Sequence, residues 1–80
     1  MKVVIYSRTN CTYCTRAKDF FRGKNIEYQE VQVGQDITTE EYTELTSMKS
    51  VPAIFINDEL IGGYTDLVEY AVDNSEMFDV

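Results

Sequence analysis

The stretch VVIYSRTNCTYC, residues 3–14, decides the fold, because it leads from a strand into a helix that carries both cysteines of the chain. Its first four residues are β-branched or aromatic, a composition typical of a buried strand. From Cys14 to Phe21 the apolar residues recur at helical spacing, and Gly23 favours the end of a helix. The pattern therefore predicts a strand over residues 3–6 and a helix that begins at the cysteines.

A second strand and a second helix are predicted from the next changes of pattern. Residues 26–33 alternate with a period of two, and their many polar side chains favour a place near the edge of a sheet. Thr38 and Glu41 form a capping-box pattern, which marks the start of a helix that we expect to end near Lys49. Val51 and Pro52 then mark a break after this helix, because the residue before a proline is pushed towards extended geometry.

The last third of the chain predicts a hairpin and a final helix. Residues 53–56 and 59–61 flank Asn57 and Asp58, two residues that tolerate the positive φ of a tight turn. Helical spacing follows from about residue 65 to 71. The order β-α-β-α-β-β-α predicts an α/β fold with a four-stranded mixed sheet and helices on both faces.

Eighty residues, of which 44% are hydrophobic and 26% are charged, suit one small domain, which we take to span residues 1–80. No apolar run approaches the roughly 20 residues that cross a bilayer. The first six residues are too short and too patterned for a signal peptide. We therefore expect a cytoplasmic protein with no membrane association.

The charges are divided unevenly along the chain, whose formal net charge is −7. Residues 1–24 carry six basic side chains and one acidic one, whereas residues 25–80 carry one basic side chain and thirteen acidic ones. Since the acidic majority repels phosphate backbones, we expect no nucleic-acid partner. The basic segment is either a set of solvated helix faces or a local positive region that attracts a small anion.

Cys11 and Cys14 are the candidates for chemistry, since the eighty residues contain no histidine for a Ser-His-Asp, Cys-His or His-zinc site. A sulfur at a helix N-terminus faces unpaired N–H groups and the positive end of the helix dipole, which lower the pKa of its thiol. Cys11 should therefore be a thiolate near neutral pH, and Arg8, Arg16 or Lys18 would act in the same direction. We predict that Cys11 attacks a disulfide and that Cys14, buried one turn later, resolves the product.

A structural role and a metal-binding role for the cysteine pair compete with the redox role. A structural disulfide here would close a loop of about four residues, which contributes only about 2 kcal/mol. A zinc or iron–sulfur site needs about four ligands, so a dimer or an exogenous thiol would have to add to the two thiolates. A Cys-x-x-Cys pair beside a βαβ pattern favours redox chemistry over both.

Three motifs taken together resemble those of the short dithiol glutaredoxins of bacterial and phage type. They are the cysteine motif at residues 11–18, Ser-Val-Pro at residues 50–52 and Gly-Gly-Tyr-Thr-Asp at residues 62–66. The resemblance covers residues 2–72. It implies a thioredoxin-like fold and an oxidoreductase that reduces protein disulfides and glutathione mixed disulfides, with glutathione as the reductant.

The resemblance also implies a glutathione site. The Val51–Pro52 bond would be cis, and the N–H and C=O of Val51 would pair with the cysteinyl backbone of the substrate. Thr65 and Asp66 would bind the γ-glutamyl end at a helix N-terminus, unless they serve only as a helix cap. Arg8 and Lys49 are candidates for the glycyl carboxylate. The implied contacts are, in full, Arg8, Tyr13, Lys49, Ser50, Val51, Pro52, Gly63, Tyr64, Thr65 and Asp66.

Thr12 departs from the commonest family motif, which has proline at that position. Thr12 keeps an amide N–H, which we expect to add a donor to the sulfur of Cys11. In the family, replacement of that proline is also associated with cluster-binding members. An iron–sulfur carrier that uses Cys11 and glutathione in a dimer therefore stays open as an alternative.

The resemblance implies two classes of partner, glutathione and protein disulfides, with ribonucleotide reductase as one candidate protein substrate. A dedicated electron donor to a single such protein is a further hypothesis. We expect a monomer that contains no metal.

Overall fold

In the computed structural model, residues 1–78 are described, and positions 79 and 80 of the predicted domain lie outside the described residues. No helix within residues 1–78 is both long and apolar enough to span a bilayer. The predicted order of elements is confirmed, with one further short helix at the end. The elements are β1 (Val3–Ser7), α1 (Thr12–Gly23), β2 (Gln29–Gln32), α2 (Thr39–Thr46), β3 (Ala53–Ile56), β4 (Glu59–Gly62), α3 (Tyr64–Asp73) and α4 (Ser75–Phe78).

The four strands form one mixed sheet in the order β2-β1-β3-β4. β1 pairs parallel with β2 and antiparallel with β3, and β3 pairs antiparallel with β4. The parallel pair is joined through α1, which supplies the long connection that parallel strands require. The predicted mixed sheet is confirmed, and β2 lies at an edge as expected.

Different helices cover the two faces of the sheet. The side chains of β1 alternate between these faces, so their contacts show which helix lies on each. Ile5 is buried in the larger core, together with Phe21 of α1 and Leu67 of α3. Tyr6 points to the opposite face, where its ring centroid lies 5.9 Å from that of Tyr42 on α2. Helices therefore lie on both faces, as the thioredoxin-like fold requires.

Two element boundaries differ from the prediction by three residues. β2 begins later than expected, because the N–H of Ile26 still donates to the carbonyl of Phe21 (2.9 Å) in the turn that closes α1. α2 ends at Thr46, short of Lys49, because Ser47 adopts a left-handed φ of 58°. Both differences arise from turns that polar residues make locally, and hydrophobic spacing does not record such turns.

The short helix α4 packs against the larger core, and the sequence patterns did not predict this helix. Its last residue, Phe78, is buried. The ring of Phe78 packs against those of Phe20, Phe21 and Tyr70, at centroid distances of 5.7, 6.4 and 6.1 Å. A four-residue helix is too short for a periodic signal, and tertiary contacts of this kind hold it in place.

Candidate active site

Cys11 lies at the N-cap of α1, where the loop after β1 enters the helix. Its backbone is extended (φ −115°, ψ 109°), and its sulfur accepts a hydrogen bond from the N–H of Cys14 at 3.1 Å. The two cysteines are joined by a disulfide, with their Cα atoms 5.2 Å apart. The oxidised pair thus occupies the place at which helix amides and the helix dipole would stabilise a thiolate after reduction.

The two sulfurs differ in access. Cys14 is 1% exposed and lies with Ala17 and Phe21 on the face that α1 turns towards the sheet. Cys11 is only partly buried. The predicted asymmetry in burial is confirmed, so a partner that approaches from solvent reaches the sulfur of Cys11 first.

The amide that bonds to Cys11 is not the expected one. From the sequence we expected the added donor to be the N–H of Thr12, whereas the donor in the structure is the N–H of Cys14. The reason is the geometry of the cap: the side chain of an N-cap residue reaches the amides of the second or third helical residue. Thr12 is the first residue of α1 and Cys14 the third.

The loop before β3 brings a free backbone segment next to the disulfide. The Val51–Pro52 peptide bond is cis, as the resemblance implied. The carbonyl oxygen of Val51 lies 4.0 Å from the sulfur of Cys11. Within the described part of the chain, no group accepts a hydrogen bond from the N–H of Val51. An extended backbone placed alongside could pair with these groups.

A cleft of about 250 Å³ brings together eight of the ten predicted contact residues. Its walls come from three segments that are distant in sequence, namely Tyr13 of α1, residues 50–52 and residues 63–66. Met48 also lines the cleft and was missed, because an apolar residue at helical spacing is typical of a core position. The fold therefore assembles most of the predicted contacts into one place.

The start of α3 forms the far wall of this cleft. Its N-cap is Gly63, which has no side chain to bond the amides of the first turn, so Thr65 is not the cap. The carboxylate of Asp66 instead accepts a hydrogen bond from the N–H of Gly63, at 3.0 Å. Gly62 has a φ of 126°, and a Cβ there would collide with the side chain of Asp66. The first turn of α3 consequently offers amide donors to the cleft.

Arg8 and Lys49 are the two predicted contacts that the structure leaves outside the cleft. Arg8 lines a second cavity, of about 670 Å³, which also contains Cys11. Its guanidinium donates to the hydroxyl of Thr39, at 3.0 Å. Lys49 is exposed next to Ser50, which does line the cleft. Both cations therefore border the site without contributing to the walls of the cleft.

Tyr13 projects from the first turn of α1 and is 53% exposed, so it does not belong to the core. The guanidinium carbon of Arg16 lies 5.2 Å from the centroid of its ring. The ring centroids of Tyr13 and Tyr64 lie 6.0 Å apart, and both residues line the cleft. These contacts give the cleft an aromatic rim that is held in a defined orientation.

A group of four polar side chains, two of which line the cavity that contains Cys11, was not identified from the sequence. Ser7, Lys18, Glu30 and Gln32, which we call the Glu30 cluster, meet where β1, α1 and β2 converge. The hydrogen bond from the Ser7 hydroxyl, then those from Lys18 and Gln32 and the charge of Lys18, hold the pKa of Glu30 below its ordinary value. Lys18 was expected to act on Cys11 as a free cation, but its ammonium is paired with Glu30.

Comparisons with known proteins point to one family. The family model described as Glutaredoxin matches residues 3–61. Glutaredoxin of Vibrio cholerae is 36% identical over 87 residues, which cover 99% of this chain and 100% of that protein. Glutaredoxin-2, mitochondrial, of Pongo abelii is 42% identical over 69 residues, which cover 80% of this chain and 42% of that protein. This chain therefore spans about two fifths of the length of that relative. Among solved structures, the buckwheat glutaredoxin–glutathione complex superposes with a TM-score of 0.82 at 29% identity, covering 95% of this chain and 74% of that one.

Proposed function

The chain belongs to the glutaredoxin family, and we propose that it acts as a glutathione-dependent thiol–disulfide oxidoreductase. The observation that carries the proposal is the disulfide at the start of α1, in which Cys11 is accessible and Cys14 is buried. Because the two residues lie within one helical turn, a mixed disulfide formed on Cys11 stays within reach of the second sulfur.

In the dithiol reaction, the Cys11 thiolate attacks a substrate disulfide and displaces one substrate sulfur as a thiolate. Cys14 then gives up its proton and attacks Cys11, which releases the second substrate sulfur and forms the Cys11–Cys14 disulfide. Two molecules of glutathione supply the two electrons that reopen this disulfide, and they leave as glutathione disulfide. The chain regains a thiolate on Cys11 and a thiol on Cys14, and one proton is released.

When the substrate is a glutathione mixed disulfide, Cys11 is sufficient. Its thiolate attacks the glutathione sulfur, and the substrate sulfur departs as a thiolate. The thiolate of a second glutathione then attacks the same glutathione sulfur, which forms glutathione disulfide and returns Cys11 as a thiolate. The lower basicity of a capped thiolate makes it a good leaving group in this second step.

We place glutathione in the 250 Å³ cleft, where its cysteinyl part can pair with the backbone of Val51 beside Cys11. The amides at the start of α3 suit the γ-glutamyl carboxylate, and the carboxylate of Asp66 suits the neighbouring ammonium. Tyr13 and Tyr64 form the apolar rim. The similar buckwheat glutaredoxin was solved in complex with glutathione, which supports glutathione as the ligand. Cations at the border of the site, Arg8 and Lys49, are assigned to the glycyl carboxylate.

Protein disulfides are the second class of substrate that we propose, with ribonucleotide reductase as one candidate. The free backbone of Val51 can pair with the extended chain that flanks a substrate cysteine. We propose that the protein does this work as a monomer in the cytoplasm.

The choice of reductant tests the proposal directly. The oxidised protein is supplied either with glutathione, glutathione reductase and NADPH, or with thioredoxin reductase and NADPH, and reduction of a small mixed disulfide is followed. We expect turnover with glutathione only. Turnover with thioredoxin reductase alone would overturn the proposed reductant.

A variant pair locates the glutathione site within the same assay. Asp66→Ala removes the proposed partner of the glutathione ammonium, and we expect it to raise the KM for glutathione about tenfold with little change in kcat. Glu69→Ala removes an exposed carboxylate from the same helix and should leave both constants unchanged. Equal effects of the two substitutions would contradict the placement in the cleft.

The alternative function is that of an iron–sulfur carrier, which a different measurement distinguishes from the oxidoreductase. Within residues 1–78, no group of three or more His, Cys, Asp or Glu side chains is arranged to hold a metal ion. A cluster would therefore need ligands from a second chain and from glutathione. Visible absorbance of a dimer purified without oxygen would favour the carrier, whereas a colourless monomer favours the oxidoreductase.

A further inference from the structure

The Glu30 cluster has no role in the reaction described above, although two of its members, Lys18 and Gln32, line the cavity that contains Cys11. Three donors converge on one oxygen, Oε2 of Glu30. They are the hydroxyl of Ser7 at 2.5 Å, the side-chain amide of Gln32 at 2.8 Å and the ammonium of Lys18 at 3.1 Å. The same amide nitrogen of Gln32 lies 3.4 Å from the hydroxyl oxygen of Ser7. Such a set of donors favours the ionised form of the carboxylate.

The cluster lies in a partly buried position that limits screening by solvent and salt. Ser7 is fully buried at the end of β1, and the side chains of Lys18 and Glu30 are 18% and 28% exposed. Other ion pairs in the described chain, such as Lys2 with Asp58, are more than half exposed. Charges at this site therefore act on their neighbours more strongly than surface charges do.

Two members of the cluster share a cavity with the reactive sulfur. Lys18 and Gln32 line the 670 Å³ space that also contains Cys11, and Arg8 is the other cation there. The ammonium of Lys18 would stabilise a thiolate on Cys11, as we expected from the sequence. The carboxylate of Glu30, bonded to that ammonium, offsets its charge.

We propose that Glu30 is a positioning residue that sets the stability of the Cys11 thiolate, and with it the reduction potential of the disulfide, by binding and neutralising Lys18. This inference rests on the proposed function, because a reduction potential matters only for a chain that exchanges electrons. Reduction of the disulfide takes two electrons and one proton and leaves a thiolate on Cys11 and a thiol on Cys14. Whatever stabilises the thiolate therefore raises the potential.

The proposal predicts opposite effects for the two partners of the ion pair. Glu30→Gln removes the negative charge and keeps the shape, so the uncompensated Lys18 should stabilise the thiolate. Lys18→Met leaves the Glu30 carboxylate without its cationic partner and should destabilise the thiolate. The double variant removes both charges and should return close to the parent chain. A purely structural role would instead give shifts of one sign, or none.

Two readouts report on the thiolate directly. The first is the pKa of the Cys11 thiol, from the pH profile of its alkylation by iodoacetamide in the reduced protein. The second is the equilibrium of the disulfide with glutathione buffers of known ratio. We expect Glu30→Gln to lower the Cys11 pKa by about half a unit and Lys18→Met to raise it by a similar amount. The matching threefold change in the equilibrium constant corresponds to about 15 mV.

Glu27→Gln is the matched control, because Glu27 is an exposed glutamate just before β2 with no ion pair in the described chain. It should change neither readout. Shifts of the same sign for Glu30→Gln and Lys18→Met, or a control as effective as either, would overturn the proposal. If Glu30→Gln does not fold, the double variant is compared with Lys18→Met: a lower Cys11 pKa in the double variant supports the proposal, and an equal or higher one overturns it.

The outcome also separates this inference from the proposed function. Alkylation and the disulfide equilibrium need no turnover of a substrate. A parent chain that is inactive with glutathione, but shows the opposite shifts, would contradict the oxidoreductase and leave the charge coupling in place. Full activity without the opposite shifts would contradict the coupling alone.

Discussion

The helices α1 and α2 have capping residues at the same spacing, namely Cys11 and Cys14 in α1 and Thr38 and Glu41 in α2, but the capping atoms differ. In α2 the hydroxyl of Thr38 accepts from the N–H of Glu41, and the Glu41 carboxylate accepts in return from the N–H of Thr38, both at 3.0 Å. In α1 the sulfur of Cys11 takes the position of that hydroxyl, and Cys14 takes the position of the glutamate. The start of α2 has two reciprocal oxygen acceptors, whereas the start of α1 has one sulfur acceptor, which is bonded to the sulfur of Cys14.

The difference shows how one structural device serves stability in one place and chemistry in another. A reciprocal cap satisfies the first amides of a helix permanently, because hydroxyl and carboxylate do not react with each other. A sulfur at the N-cap also accepts a hydrogen bond from a helix amide. As a thiolate, however, it can attack a disulfide. The amides of the first helical turn therefore contribute to the stability of α2, whereas in α1 they favour the reactive thiolate of Cys11.

The largest expected effect separates capping from reaction at α1. Cys11→Ser keeps an oxygen acceptor at the N-cap, so the free energy of unfolding should stay within about 1 kcal/mol of the reduced parent chain. The rate of glutathione-dependent reduction should fall to the uncatalysed background, because serine forms no disulfide. Retained activity in a continuous assay, or loss of the fold by circular dichroism, would contradict this separation of the two roles.

The next effect concerns the second sulfur. Cys14→Ser leaves the Cys11 thiolate able to exchange glutathione, so reduction of glutathione mixed disulfides should continue. Reduction of intramolecular protein disulfides should be lost, since no second thiol resolves the mixed disulfide. Parallel assays on the two substrate types measure this split. Equal loss on both would contradict the roles assigned to the sulfurs.

A smaller effect is expected when the oxygen cap is removed. Thr38→Ala leaves the N–H of Glu41 without its acceptor and should destabilise the protein by about 1 kcal/mol. For a chain of this size, such a loss lowers the Tm by about 4–8 °C. The alkylation pH profile of Cys11 should not change, because the two caps are independent. A shift in that profile would mean that they are coupled.

The smallest effect is a dependence of stability on pH. The hydrogen bonds from the backbone and hydroxyl of Thr38 hold the pKa of Glu41 below its ordinary value. Its contribution to stability is therefore present above the ordinary glutamate pKa and is lost as the pH falls through the lowered value. Urea unfolding should show Glu41→Gln less stable than the parent near pH 7, with the difference vanishing at strongly acidic pH. A difference that persists there would assign the effect to shape instead of charge.

The elements that the sequence predicted well are those fixed by local patterns. The strand before Cys11, the cap at Thr38 and the turn at Asn57 and Asp58 each follow from residues adjacent in the chain, and the structure confirms all three. The gathering of three distant motifs into one cleft was predicted only through the resemblance to a family. No local pattern specifies which loops meet.

The features that were missed depend on contacts between elements. Glu30 and Ser7 belong to different strands that parallel pairing brings together, and neither residue stands out in its own segment. Lys18 appeared as a free cation because its partner lies twelve residues away. Met48 has an ordinary apolar side chain, and its surroundings decide whether it lines a cleft or packs in a core.

The edge position of β2 gives the ion pair of the Glu30 cluster a second consequence. An edge strand offers unpaired backbone groups to which the strand of another molecule can add. β2 is only four residues long, and it directs a charged side chain inward, towards Lys18 on α1. Short edge strands with inward charges are poor templates for such addition. We therefore expect the Lys18–Glu30 pair, which we propose tunes electron transfer, also to disfavour the addition of strands from other molecules to the sheet.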